Sequence, residues 1–367
     1  MITRVKHRTK TGLLTVSILL AGAAILWRPQ AVAGGISRGL SICSAVLIPS
    51  LFPFLVLGGF LVRSGVATAI GRRAEGITKR LFGLPGCCAA GVLIAMVGGY
   101  PSGGTVVGDL VRNGQISRDE GRRMLRFCVN GGPGFVISAV GVGLLGSKEL
   151  GIIVFLAQLV AALTLGMLGV PRGVRRREYC RPTAAARPTP LSTALVESVT
   201  AACETLLYMC GFVLLFEAVL ALIDVSGCIA WLSSTASGER TWSALIACVL
   251  EVSSGCAAAV TLPENAMLFV AFAVGFGGLS VHCQLASSLR GLGLINRGFF
   301  VARLAQGMLT AVLTTVALRY IPLSHTVGST LQQPVTRAFS GSVGISVALL
   351  VLGGVWMLTV GRLDKTA

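Results

Sequence analysis

Two short stretches of this chain combine a helix break with small polar residues, as a ligand site often does. The first is Gly99-Tyr100-Pro101-Ser102-Gly103-Gly104, and the second is Glu251-Val252-Ser253-Ser254-Gly255. Where a helix restarts after such a break, its exposed amides and the positive end of its dipole favour an anion. The two stretches predict a pair of anion-binding helix starts, although serine and glycine also permit tight turns and close helix packing.

The composition places both stretches in a membrane. The 367 residues are 54% hydrophobic and only 12% charged, whereas soluble domains average about 25% charged. Several apolar runs exceed the roughly 18 to 20 residues that cross a bilayer core. Broken helix at that depth survives only where protein or a wet cavity covers it, and breaks that recur in both halves indicate a transport site. The sequence therefore predicts a multi-pass carrier.

Other polar residues lie near these breaks. Asn130, in Asn130-Gly131-Gly132-Pro133-Gly134, can both donate and accept, which suits a carboxylate or a ring nitrogen, but a plain kink is an equal alternative. Glu251 is the only acid in an apolar run that also breaks; it could transfer a coupling proton or cation, or pair with an arginine. The predicted substrate-binding residues are Tyr100, Ser102, Gly103, Gly104, Asn130, Gly131, Ser253, Ser254, Gly255 and Ser280. The predicted ion-coupling or polar-path residues are Glu251, His282 and Gln284.

Several function classes lack support. The sequence contains no HExxH, GxSxG or Walker A motif, so we expect no enzyme, no cofactor and no metal site. The net charge of +17 is explained by basic loops that set topology and contact anionic lipid headgroups. We expect the lipid bilayer and a small organic anion as partners, no nucleic acid, and coupling, if any, to protons or sodium ions.

Arginine positions decide how the first break is built. If residues 84–99 crossed the membrane fully, the loops at 107–126 and 171–190 would both lie outside with their arginines, against the positive-inside rule. A re-entrant hairpin that turns at Tyr100-Pro101-Ser102-Gly103 keeps both loops inside. By the same rule Arg290, Arg297 and Arg303 lie in an inside loop, before a helix that begins at Gln306.

With this hairpin, one order of elements occurs twice: long helix, hairpin, glycine-broken helix, plain helix. The first copy starts outside and the second inside, which predicts an all-α polytopic membrane protein made of two inverted-topology repeats, each with a re-entrant helical hairpin and a broken helix. The predicted segments are a basic stretch with a first transmembrane helix or a signal peptide (1–35), the first repeat (36–170), a basic cytoplasmic linker (171–190), the second repeat (191–320), and a last transmembrane helix with its tail (321–367).

Four motifs resemble one known family. They are VGGYPSGG at 97–104, FCVNGGP at 127–133, LEVSSG at 250–255 and GFGGLSVHCQ at 275–284. In this order they are similar to the sporulation integral membrane proteins of the YlbJ (SpoVV) family, in the nucleoside-recognition (Gate) domain group. The likeness covers roughly residues 36–320.

The resemblance implies a role in endospore formation. Family members resemble carriers that move dipicolinate into the forespore through its outer membrane, and the wider group is related to concentrative nucleoside transporters, which use paired re-entrant hairpins. We therefore expect a bacterial membrane carrier with both termini in the cytoplasm. The alternatives are a nucleoside carrier and a non-transporting scaffold for spore envelope assembly; homo-oligomers and sporulation membrane partners are open.

Overall fold

The computed structural model describes residues 22–170, 190–233 and 238–321, together with Thr15 and Leu19. These residues form helices and connecting turns without a strand, and they include five helices long and apolar enough to cross a membrane. The predicted all-α polytopic class is confirmed. Most of the predicted first segment, the basic linker except residue 190, and the last predicted helix lie outside the described residues.

The described elements number fifteen from Pro29 onward. In chain order they are α1 (Pro29–Arg63), α2 (Val66–Arg73), α3 (Glu75–Phe82), α4 (Cys88–Val97), α5 (Tyr100–Arg112), α6 (Arg118–Leu125), the π-helical α7 (Gly134–Leu144), α8 (Lys148–Leu168), α9 (Leu191–Val225), α10 (Cys228–Ser233), α11 (Glu239–Leu250), α12 (Val252–Val260), α13 (Ala266–Phe276), α14 (Gly278–Ser288) and α15 (Arg297–Tyr320). Helix α1 contains a π-helical turn at Cys43–Leu47.

The two longest helices, α1 and α9, have 35 residues each and pack antiparallel. Near the start of α1, a Cβ at Gly35 would lie 2.9 Å from Ala221 Cβ. Near its end, a Cβ at Gly59 would lie 3.3 Å from Ser198 Cβ. Glycines on α1 thus let the two backbones approach closely. Helix α1 opens the first predicted repeat and α9 opens the second. Their antiparallel directions are those that an inverted arrangement of the two repeats requires.

Each half contains a helical hairpin too short to span a bilayer. Hairpin 1 joins α4 to α5, and hairpin 2 joins α11 to α12. The ten residues of α4 and the nine of α12 rise only about 15 Å at 1.5 Å per residue, half of the roughly 30 Å hydrocarbon core. In hairpin 2 a Cβ at Gly255 would lie 2.7 Å from Cys248 N, so the chain doubles back on itself.

A broken helix and a plain helix follow each hairpin. Between α6 and α7 the chain is interrupted at 126–132, which we call break 1. Between α13 and α14 it turns at Gly277, with φ of 88°, which we call break 2. The plain helices α8 and α15 come next and pack against each other. The repeated order of elements is thus present among the described residues.

Two details differ from the sequence prediction. Hairpin 1 turns at Gly98 and Gly99, two positions before the predicted turn begins, because Tyr100 and Pro101 already form the first turn of α5, where proline is well tolerated. Helix α15 starts nine residues before Gln306: the Asn296 side chain accepts a hydrogen bond from Phe299 N at 3.1 Å and caps the helix at Arg297. Arg303 therefore lies inside a membrane-length helix, and the prediction that it lies in a loop was wrong.

Candidate functional site: hairpin tips against helix breaks

The tip of each hairpin lies against the break of its own half. At hairpin 1, a Cβ on Gly132 would lie 3.0 Å from Gly99 N. At hairpin 2, a Cβ on Gly278 would lie 2.9 Å from Val252 N and 3.1 Å from Glu251 Cα. Only glycine allows backbone to approach backbone this closely. The glycine-rich motifs thus bring four chain interruptions into two matching contacts.

Tyr100 joins the two contacts. It is the first residue of α5 and is 3% exposed. Its hydroxyl donates a hydrogen bond of 2.6 Å to the carbonyl of Val274, in the last turn of α13. A Cβ at Gly277 would lie 3.4 Å from the Tyr100 ring. Hairpin 1 therefore contacts break 1 through its turn and break 2 through this tyrosine.

Two glutamines, one from each plain helix, hold break 1. Gln158 of α8 accepts from Gly131 N and donates to Gly131 O, both at 2.9 Å. Gln306 of α15 donates to Asn130 Oδ1 at 2.7 Å, and Asn130 Nδ2 donates to Phe127 O at 2.8 Å. The side chains of Gln158, Gln306 and Asn130 are fully buried. They satisfy backbone groups that a continuous helix would have paired internally.

Arg303 is fully buried one turn before Gln306. Its guanidinium donates to the carbonyl of Val129 in break 1, to the carbonyl of Gly275 near break 2, and to Gln306 Oε1. One side chain thus contacts both interrupted helices. In the described parts of the chain, no carboxylate lies within ion-pair distance of Arg303.

Glu251 forms the turn of hairpin 2 and caps the helix that follows. Its backbone is extended, with φ of −144°. Its Oε2 accepts from Ser254 N at 2.7 Å and from the Ser254 hydroxyl at 3.0 Å, and its Oε1 accepts from the Ser280 hydroxyl at 3.5 Å. Burial leaves the Glu251 side chain 3% exposed. The start of α12 is therefore already occupied by a carboxylate, that of its N-cap residue Glu251.

The start of α5 has no such side-chain cap. The Ser102 hydroxyl donates to Gly98 O at 2.9 Å. A Cβ at Gly103 would overlap the Cys128 carbonyl oxygen, and one at Gly104 would overlap Leu285 of α14. The glycines thus pack hairpin 1 against break 1 and α14, as the packing alternative in the sequence analysis allowed, while the uncapped helix start remains a candidate for an anion.

The remaining predicted residues belong to hairpin 2 and to α14. Ser253 is buried at hairpin 2 beside Ser254, and Gly255 packs on Cys248. His282 is buried among aromatic rings, 4.9 Å from Phe276, 5.3 Å from Phe299 and 5.6 Å from Phe300 between centroids. Gln284, two residues further along α14, is half-buried. His282 therefore faces an aromatic cluster, whereas Ser280 joins the Glu251 contact.

A cavity of about 550 Å³ adjoins hairpin 1. It lies between α1, α2, hairpin 1 and α9, and most of its lining is apolar. Its polar lining comes from Arg63, Ser102, Thr105, Asp109, Ser198 and Thr205. At its Arg63 side, Arg63 Nε lies 3.4 Å from a Glu197 carboxylate oxygen. This volume lies within the range of small-molecule sites, and Ser102 faces it from the first turn of α5.

The sequence prediction missed Arg303, Gln306 and Gln158 as residues of the region where the hairpin tips meet the helix breaks, which we call the centre. A usable signal existed for the glutamines, since a lone amide within about 20 apolar residues usually needs a buried partner. Arg303 gave no local signal, because a basic residue near a helix start usually marks a membrane boundary.

Replacing Gln158 tests the glutamine contacts. We expect Gln158→Leu to leave Gly131 N and O unpaired and to destabilise the protein by about 2–4 kcal/mol, since each unsatisfied buried group costs roughly 1–3 kcal/mol. Thermal unfolding in detergent measures this as a lower Tm. The control is Thr164→Leu on the same helix, where an exposed hydroxyl bonds only Val160 O. Equal Tm values for the two variants would contradict the assignment.

The fold and these contacts define an all-α polytopic membrane protein with paired helical hairpins and broken helices. The described chain aligns with the structure of CNTnw, a concentrative nucleoside transporter, in an inward-facing substrate-bound state: the TM-score is 0.51 and the identity 14%, over 82% of this chain and 84% of that one. At this identity the match shows the fold. No family model matches the chain.

The sequence itself has a curated relative. The chain is 28% identical over 346 residues to the sporulation integral membrane protein YlbJ of Bacillus subtilis (strain 168), covering 86% of this chain and 84% of the relative. The predicted resemblance to YlbJ is therefore confirmed, and this protein, like YlbJ, is an integral membrane protein with several spans.

Proposed function

We propose that this protein is a secondary transporter of a small organic anion, with dipicolinate as its substrate, in the outer forespore membrane of a sporulating bacterium. The observation that supports transport is the meeting of two hairpin tips with two helix breaks. Paired discontinuous helices of this kind form the sites of inverted-repeat carriers. The sporulation name of the YlbJ relative supports the setting.

An anion fits the charges at this centre. The buried Arg303 has no carboxylate partner among the described residues, and the only acid at the tips, Glu251, is held by serine hydroxyls and an amide. The start of α5 is uncapped and opens through Ser102 on the 550 Å³ cavity. Dipicolinate would reach the tip of hairpin 1 through this cavity, with one carboxylate at the α5 start.

The second candidate is a nucleoside carrier, which the fold match to CNTnw favours. The third is a non-transporting scaffold. Uptake of labelled dipicolinate into liposomes that contain the purified protein separates the three. We expect saturable uptake that excess uridine leaves unchanged. Transport of uridine in place of dipicolinate would establish the second candidate, and a folded protein that moves neither compound would favour the scaffold.

Filling the cavity gives a sharper test of the route. Ala201 of α9 lines the cavity, whereas Leu207, further along the same helix, is 76% exposed. We expect Ala201→Trp to reduce dipicolinate uptake at least about tenfold, because a substrate displaced from its bound position loses at least that factor in rate. We expect Leu207→Trp to leave uptake within about twofold. Equal uptake by the two variants, at equal amounts of inserted protein, would exclude the cavity as the route.

A further inference from the structure

Carbonyl groups at interrupted helices are cation sites in membrane carriers. The C-terminal end of a half-helix carries negative partial charge, and unwound carbonyls there coordinate coupling ions. This protein has two such groups near one another, the carbonyls of Val129 in break 1 and Gly275 in the last turn of α13. Both accept hydrogen bonds from the Arg303 guanidinium.

The guanidinium is enclosed on every side that the structure describes. Arg303 is 0% exposed, and its third partner, Gln306, is itself bonded to Asn130 in break 1. A buried cation without a carboxylate is costly unless dipoles replace water. Here carbonyl and amide dipoles of both halves do so, and the charge remains uncompensated by any described acid.

A plain helix of this repeat does not need a buried arginine in order to fold. The plain helix of the first half, α8, also bonds break 1 through a glutamine, Gln158, as α15 does through Gln306. Three residues before Gln158 is Phe155, a partly buried apolar residue, whereas three residues before Gln306 is Arg303. One half thus builds its plain helix without an arginine, so Arg303 adds something beyond the fold of a repeat.

We infer that the Arg303 guanidinium is a resident cation that occupies the place of a coupling ion between the two helix breaks, so that this protein transports without Na⁺. The conclusion that transport needs no Na⁺ rests on the proposed function. The placement of the guanidinium as a cation between the two breaks does not. The positive charge stays with the protein in every cycle and offsets the charge of an anionic substrate. Uptake then follows the gradient of the anion itself.

The test uses Na⁺ and guanidinium as probes and thermal unfolding as the first measurement. Tm is measured in detergent in NaCl and in choline chloride of equal concentration. We expect the same Tm for the unaltered protein in both salts. Arg303→Ala should have a lower Tm in choline and regain about 3 °C or more in NaCl or in millimolar guanidinium chloride, because a cation that binds the vacated carbonyls stabilises the fold.

Two further variants make the result decisive. Arg123 donates to the carbonyls of Phe82 and Gly83, at 2.6 and 3.1 Å, and not to the carbonyl of Val129 or Gly275, so Arg123→Ala should lose stability without any response to Na⁺ or guanidinium. If Arg303→Ala fails to fold, Arg303→Lys retains the charge and should unfold at equal Tm in both salts. Stabilisation of the unaltered protein by Na⁺, or an Arg303→Ala variant indifferent to both cations, would overturn the inference.

The transport arm then separates this inference from the proposed function. Uptake of dipicolinate by the unaltered protein should be the same with external NaCl and with choline chloride. Stimulation by Na⁺ would overturn the resident-cation inference even if dipicolinate is the substrate. Absence of dipicolinate uptake, together with the expected Tm responses, would overturn the proposed substrate and leave the cation assignment standing.

Discussion

Gly103→Ala is expected to prevent stable folding, whereas the same change at Gly211 is expected to be neutral or slightly stabilising. A Cβ at Gly103 would overlap the carbonyl oxygen of Cys128 and lie 3.1 Å from Ala95 Cβ. Both neighbours belong to fixed elements, break 1 and α4, so no flexible side chain can move aside. Overpacking of this kind costs about 1–3 kcal/mol or more, and here it also separates hairpin 1 from break 1.

Gly211 is the matched control because it too lies within a helix, α9, and a Cβ there meets nothing within 4 Å. Alanine favours a helix over glycine by about 1 kcal/mol. The two variants are compared by the monodisperse fraction in detergent and by Tm. If Gly103→Ala is as stable as Gly211→Ala, hairpin 1 does not lie against break 1 as described.

The sequence identified the interruptions because their causes are local. Proline and glycine disfavour the interior of a helix, so 99–104, 130–134 and 277–278 were recognisable without any knowledge of their neighbours. The duplicated order of elements followed from counting charges in loops. What local signals could not supply is contact: the bond from Tyr100 to Val274 and the bonds from Gln158 to Gly131 join residues far apart in the chain.

Arg303 shows where the charge rule fails. The rule assumes that a basic residue avoids the bilayer, and it holds when water is the only good partner. Arg303 instead finds the carbonyls of Val129 and Gly275, which are unpaired only because two distant segments unwind beside it. Its burial is a consequence of the tertiary structure, so sequence reasoning placed it in a loop.

Glu251 illustrates a position predicted correctly with its role left open. The sequence marked it as an acid in a broken apolar run, on an ion path or in an ion pair. The structure places it at the tip of hairpin 2, where it accepts from an amide and two hydroxyls and has no arginine partner among the described ion pairs. These contacts make a helix cap, and a cap needs an oxygen acceptor more than it needs a charge.

Two substitutions separate the cap from an ion path. Glu251→Ala removes the acceptor and leaves the amide and hydroxyl of Ser254 unpaired in a buried site. We expect the free energy of unfolding to fall by about 2 kcal/mol or more. We also expect dipicolinate uptake to fall at least about tenfold, because hairpin 2 no longer holds its place at break 2. Glu251→Gln keeps an acceptor oxygen and loses only the charge. We expect it to retain uptake within about threefold, since an uncharged cap costs roughly 1 kcal/mol or less relative to a charged one.

Glu120 provides the matched control for the alanine change. It caps α6 together with Ser117, accepting from Ser117 N at 2.7 Å, but at an exposed helix end. Glu120→Ala should cost only about 1 kcal/mol and leave uptake unchanged, which isolates the effect of a buried cap at a hairpin tip. If Glu251→Gln keeps a normal Tm yet loses uptake as completely as Glu251→Ala, the charge itself is needed, and Glu251 lies on a proton or cation path. That result would also contradict transport driven by the anion gradient alone, because a carboxylate that must ionise during the cycle couples the substrate to a second ion.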